Sequence, residues 1–191
     1  LSNDADKVIQ KVDRAGFVTG EFRNKVDLDV PLPIGFGQTI SQPTTVAHML
    51  EWLAPEPGDR VLDVGSGSGW TTALLGELVG REGEVYAVER IPELVAFGEQ
   101  NCARFGIANA KFFQAGRHYG LPEYAPYDKI LVSAAAKTLP TELLSQLGVN
   151  STLVIPVQSD ILEIIKLAAD KYETREHGGF VFVPLESTPL R

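Results

Sequence analysis

The chain has one cysteine, Cys102, in 191 residues. No internal disulfide can form, and no Cys-rich zinc site is available. Only three histidines occur, His48, His118 and His177, none at H-x-x-x-H spacing, so no metal site is expected. There is no run of about 18 apolar residues, and the opening LSNDADKVIQ has neither the basic stretch nor the apolar core of a signal peptide. Basic residues are few: 17 Lys and Arg against 25 Asp and Glu give a formal charge of −8, without the basic footprint of a protein that tracks a phosphate backbone. These shortages predict a cytoplasmic protein with no metal, membrane or nucleic-acid partner. The first residue is Leu1, so the native N-terminus is expected to extend further.

What is present is an ordinary globular composition, 44% hydrophobic and 22% charged. A length of 191 residues suffices to bury a core in one domain. Short apolar runs at 60–64, 84–89, 110–113, 129–133, 152–157, 161–168 and 179–183 read as strands. Helices are expected over 44–53, 71–79, 92–105 and 141–147, and residues 169–178 are expected to form a short antiparallel connection. Alternating strands and helices imply a three-layer α/β domain around a mainly parallel seven-stranded sheet, closed by an antiparallel hairpin. A single domain over 1–191 is expected, with 1–43 as an N-terminal extension and loop and 44–191 as the core.

The most informative segment is VLDVGSGSGW, Val61 to Trp70, a strand that ends in Gly65, Gly67 and Gly69 and leads into a helix. Glycines let the backbone approach a ligand, and the helix N-terminus offers free N–H groups, so a nucleotide-like ligand is expected at Gly65, Ser66, Gly67 and Gly69. The spacing is not that of a dinucleotide fingerprint, whose third glycine would replace Trp70, and no Gly-Lys-Ser/Thr of a P-loop occurs. Glu89 ends the next strand and would face the same crevice. Taken alone it reads as a solvated charge paired with Arg90; in register with the glycine loop it reads as the acceptor for two ribose hydroxyls.

G-x-G-x-G followed by a bulky residue resembles motif I of the class I methyltransferases that use S-adenosylmethionine. A more specific resemblance lies in PLPIGFGQTISQP (Pro31 to Pro43), LPEYAPYDKILVSAAA (Leu121 to Ala136), LVIPV (Leu153 to Val157) and FVPL (Phe182 to Leu185), which are similar in order and content to the protein-L-isoaspartate (D-aspartate) O-methyltransferase family. The resemblance implies a Rossmann-like methyltransferase fold. It also implies transfer of a methyl group from S-adenosylmethionine, with S-adenosylhomocysteine as product, to the free carboxylate of L-isoaspartyl, or D-aspartyl, residues in damaged proteins and peptides. The ester then cyclises to a succinimide, whose hydrolysis starts repair. By the same resemblance Ser41 is the active-site residue; Gln38, Thr39, Ile40 and Ser41 line the cofactor; and Ile40, Ser41, Pro156 and Val157 border the peptide. A monomer is expected. Alternative readings are a carboxyl methyltransferase for normal aspartates of a dedicated peptide and a cofactor-binding relative without turnover.

A carboxylate is already ionised at neutral pH. Its attack on a sulfonium methyl requires positioning and desolvation rather than a base or a metal. The sequence departs from the family where Ala115-Gly116-Arg117 replaces the usual Gly-Asp-Gly near the adenine. GVNS at 148–151 replaces a Gly-Gly turn, and the N-terminal segment is shorter than the helices of the family. Cys102 reads as a buried structural thiol, Trp52 and Trp70 as packing residues, and His48 as packed on its helix. His118 and Tyr119 are open between cofactor contact and an exposed loop, and Phe36 between shaping the entrance and packing.

Overall fold

A computed structural model describes residues 3–186. The chain begins with α1 (Asn3–Lys11), two 3-10 turns (Arg14–Phe17 and Gly20–Lys25) and a small hairpin of β1 (Leu32–Gly35) and β2 (Gln38–Ile40). There follow α2 (Pro43–Leu53), β3 (Arg60–Val64), α3 (Trp70–Val79), β4 (Glu84–Glu89), α4 (Pro92–Arg104), β5 (Ala110–Gln114), β6 (Tyr127–Val132), α5 (Thr141–Gln146), β7 (Leu147–Val157), β8 (Asp160–Ala168) and β9 (Lys171–Gly178). The seven-stranded sheet has the order β5-β4-β3-β6-β7-β8-β9. Pairings from β5 through β7 are parallel, and β8 joins both β7 and β9 antiparallel. This is the α/β Rossmann-like methyltransferase architecture with its antiparallel closure.

Strand alternation divides the core. Val61, Val85, Leu131 and Val154 face side chains of α1 to α4; Leu62, Tyr86, Ile130 and Leu153 face Leu121, Leu143 and Leu147. Both faces are therefore covered, which explains why β3 reads as an unbroken apolar run apart from Asp63. Pro43 opens α2 with the φ that suits a first turn. The helix ends at Ala54, whose left-handed backbone brings its N–H to the Leu50 carbonyl at 2.9 Å. Chain reversal at β3, between β4 and β6, opens a crevice at the carboxyl ends of the strands.

One expectation is corrected. The apolar run 179–183 is not a strand: the last strand is Lys171–Gly178, within the segment expected to be a connection. As an edge strand with mostly exposed side chains, it needs no apolar alternation, and its charges blunt an open edge. Phe180 and Phe182 pack on the core instead, whereas Val181 is 93% exposed. The N-terminal extension packs on the core. Ala5, Val8, Val12, Phe17 and Val18 are buried in the larger core half, and the Trp70 indole N–H donates to the Val12 carbonyl at 3.1 Å.

Gly69 fixes how closely the glycine loop meets α4. Its φ is +88°, and a Cβ there would lie 2.9 Å from the backbone of Gly98. Gly69→Ala combines a left-handed backbone penalty with overpacking against main chain, so a loss of about 3 kcal/mol is expected in urea unfolding; a loss below about 1 kcal/mol would show that the two backbones can separate freely.

Candidate active site

The glycine loop hangs from neighbouring strand ends. Gly65 and Ser66 donate their N–H groups to the Val88 carbonyl at 2.8 and 3.2 Å. Gly67 N–H donates to Glu89 Oε2 at 3.0 Å, while Glu89 Oε1 accepts from the N–H groups of Arg90 and Ile91 at 2.7 and 2.9 Å. The reading of Glu89 as a solvated partner of Arg90 is thereby replaced: the carboxylate is buried, and the Arg90 guanidinium pairs with Glu186 at 3.1 Å. A carboxylate has about four acceptor positions, so three backbone donors orient Glu89 and leave capacity for a ligand. From below, Asn101 donates to the Ser68 carbonyl at 2.8 Å, and the buried Cys102 thiol to that of Gly69 at 3.4 Å. Burial pushes the Cys102 thiol up to about 12, which fits a structural rather than a nucleophilic role.

Above this loop lies a cleft of about 950 Å³, counted with the open space at its mouth. Gln38, Thr39, Ile40 and Ser41 form one wall together with Ile34; Gly65, Ser66, Gly67 and Glu89 form the floor. Of the expected cofactor residues, Gly69 alone does not line it: its place is against α4. Ala115, Gly116, His118, Tyr119 and Gly120 lie at one end, which brings His118 and Tyr119 to the cleft. This loop is steadied by Glu142 of α5, which accepts from the Tyr119 N–H at 2.8 Å and faces His118 Nδ1 at 3.3 Å. Residues 183–186 line the cleft as well, held by reciprocal hydrogen bonds of Val183 and Leu185 with Ala135 at 2.7 and 2.8 Å.

A second cavity of about 660 Å³ adjoins the first. Thr39, Ser41, Ser133 and Val183 line both, so Ser41 stands where the two meet. Pro31, Gln42, Thr45, Val181 and Phe182 complete the second cavity. Pro156 and Val157, expected beside a peptide, line neither: Pro156 is buried and its carbonyl accepts from Ala136 N–H at 2.9 Å. That bond holds the Ala134–Ala136 segment, so LVIPV acts behind the wall rather than on it. Sequence reasoning missed Ser133 and Val183 as lining residues, although both fall within quoted motifs. No signal in the sequence marked the wall role of residues 183–186.

Residues 1–189 match the family described as protein-L-isoaspartate(D-aspartate) O-methyltransferase (PCMT). The chain belongs to this family. It is 42% identical over 189 residues to the protein-L-isoaspartate O-methyltransferase of Fervidobacterium nodosum, covering 97% of this chain and 95% of that one. With the protein of the same name from Pyrococcus horikoshii it shares 42% identity, over 96% of this chain and 85% of the relative. A solved protein-L-isoaspartate O-methyltransferase superposes with a TM-score of 0.88 at 26% identity; the match covers 97% of this chain and spans 62% of that one. A Plasmodium falciparum structure assigned the same name, in complex with S-adenosyl-L-homocysteine, gives 0.85 at 27% identity, over 98% and 92% of the two chains.

For this isoaspartate methyltransferase family member, Asp63 at the end of β3 is the buried charge closest in sequence to the glycine loop. Its Oδ2 accepts from the hydroxyls of Thr72 and Thr71 at 2.7 and 3.0 Å, and its Oδ1 has no partner. Burial, opposed by the threonine bonds and helped by the charge of Glu89, pushes its pKa up to about 6. The folded state thus takes up a proton near pH 6 and the unfolded chain near 4, so this group makes stability fall as pH rises between those values. In Asp63→Asn that dependence is removed: relative to the parent, its unfolding free energy should gain about 2 kcal/mol from pH 4 to pH 6 and stay level above pH 7. A difference between the two proteins that does not vary with pH in guanidinium titrations would refute the assignment.

Proposed function

We propose that the protein methylates the free carboxylate of L-isoaspartyl, and D-aspartyl, residues in damaged proteins and peptides, with S-adenosylmethionine as methyl donor. The observation that carries this reading is the junction of two cavities at Ser41: one suits a nucleoside-sized ligand, and the other is open for a peptide. The first cavity fits the cofactor by its own chemistry. Ser66 Oγ is buried on it without a partner, Glu89 has acceptor capacity left, and the Gly67 backbone comes so near the hairpin that a Cβ would lie 3.0 Å from Ile34. We assign Gln38, Thr39, Ile40, Gly65, Ser66, Gly67 and Glu89 to the cofactor, and Ile40 and Ser41 to the acceptor.

When bound, the cofactor supplies an electrophilic methyl on a sulfonium: a carboxylate oxygen forms the bond to carbon as the carbon–sulfur bond breaks, and the electron pair leaves with sulfur. The protein has no proton to remove, because the acceptor is already ionised. Its task is orientation. Ser41 donates to one oxygen of the acceptor carboxylate and leaves the other aimed across the junction, with Ser133 on the opposite element. No ionisable residue lines the second cavity among those described, so the carboxylate enters without an ion pair that would lower its nucleophilicity. In-line placement of this kind is worth up to about 7–11 kcal/mol in favourable intramolecular reactions. The single buried Cys102 supports a reducing, cytoplasmic setting, and a monomer suffices for this site, since both cavities are built from one chain.

With labelled S-adenosylmethionine, an isoaspartyl peptide is expected to be methylated and the matched aspartyl peptide not. Preference for the aspartyl peptide would sink the repair reading, and the absence of S-adenosylhomocysteine binding at millimolar concentration in calorimetry would sink any enzymatic one. Ser41→Ala removes a hydrogen bond to a charged group, so kcat should fall about tenfold to a hundredfold, well beyond any change in cofactor affinity. Unchanged kcat and KM would dismiss the role given to Ser41.

A further inference from the structure

The segment that carries Ser41 is too short to hold itself: β2 has three residues, and among the described residues its strand partner is β1 alone. Directly behind it lies the guanidinium of Arg14, in the first 3-10 turn, 5% exposed. Its Nη1 donates to the carbonyls of Val26 and Leu28 at 3.1 and 3.2 Å, and its Nη2 to those of Val30, Ile40 and Ser41 at 2.8, 3.4 and 2.9 Å. Five carbonyls from two segments thus converge on one planar fork, whose charge carbon lies 5.6 Å from the centre of the Trp70 ring. Trp70 is the first residue of α3, directly after the glycine loop, so Arg14 lies between the helix that follows that loop and the segment at the cavity junction. Asp29 completes the frame: its carboxylate accepts from Thr44 N–H at 2.9 Å and from Gln42 Nε2 at 3.4 Å, fixing the chain just past Ser41.

We propose that Arg14 is a positioning residue for methyl transfer, setting the main chain of Ile40 and Ser41 so that the Ser41 hydroxyl meets the acceptor carboxylate. The inference rests on the reading of Ser41 given above. Arg14 lines neither cavity, so it reaches the reaction through the main chain it holds at Ile40 and Ser41. Burial lowers its pKa to about 10 against the opposing charge of Asp29, and it stays protonated at neutral pH. A lysine in its place keeps the charge but is a point donor that cannot span five carbonyls.

The test is a double-mutant cycle of Arg14→Lys and Ser41→Ala, assayed on an isoaspartyl peptide with thermal melts and S-adenosylhomocysteine calorimetry alongside. Arg14→Lys is expected to lower kcat about tenfold while the affinity for S-adenosylhomocysteine stays within about threefold. In the Ser41→Ala background the same change should alter kcat by less than about twofold, because the group through which it acts is gone. An equal loss in both backgrounds, or a lowered Tm with kcat intact, would overturn the proposal. An undiminished kcat in Ser41→Ala alone would instead remove the reading of Ser41. Should Arg14→Lys lack a cooperative melt, hydrogen exchange on the unmodified protein decides: the 26–30 and 38–42 segments should lose protection together in mild urea, and 38–42 remaining protected after 26–30 has opened would count against the proposal.

Discussion

The site depends on one buried carboxylate. Glu89 accepts from Gly67 on one side and from Arg90 and Ile91 on the other, so a single side chain satisfies orphan donors from the turn after β3 and from the turn after β4. A buried N–H without a partner costs about as much as a lost hydrogen bond, and two adjacent strand ends would each face that cost. Glu89 meets both demands at once. It thereby fixes the distance between the strands at the point where a ligand must bridge them.

The opposite wall comes from residues that contribute nothing to the sheet. The short β1–β2 hairpin turns through Phe36 and Gly37, both left-handed at φ 54° and 70°, as a two-residue hairpin turn requires. It leans on the floor through Ile34 and is backed by the N-terminal segment, where Phe17 stacks on Phe105 with ring centres 4.9 Å apart and Arg104 donates to the Gly16 carbonyl at 3.0 Å. Floor and wall are therefore coupled through Val12, Arg14 and Trp70 rather than through the sheet. Segments remote in sequence become one rigid rim, and that rim carries the hydroxyl at the junction.

How far the sequence spoke depended on whether apolar period or main-chain bonding built each part. β3 and β4 were legible to the residue, because strands covered on both faces are mostly apolar, with their charges mainly at the ends; so was the crevice, because glycines at 65 and 67 and an acid at 89 fall at strand ends. α1 was not legible: its polar sequence buries Ala5 and Val8 in the core and packs Ile9 partly against it, with Val12 just beyond its end. β9 was hidden for the converse reason, since an edge strand needs hydrogen bonds and not hydrophobicity. Phe180 and Phe182 suggested a strand where the chain instead crosses the core. Ser41 was found by resemblance alone; nothing in its local pattern states that two cavities meet there.

The acidity of the chain bears on how an anionic protein handles an anionic acceptor. At −8 the molecule as a whole repels acids, and the described residues lining the acceptor cavity offer no cation in return. The Arg14 guanidinium behind Ser41 directs its bonded donors to carbonyl oxygens. A salt bridge would bind the carboxylate more tightly, but it would stabilise the ground state more than a transition state in which that negative charge is being lost to the methyl group. On the proposed reading, the neutral hydroxyls of Ser41, Thr39 and Ser133, which line both cavities, would hold the acceptor while leaving its charge available. Affinity must then come from the peptide main chain and from apolar contact with Val181 and Phe182, which favours an acceptor recognised by its backbone rather than by a particular sequence.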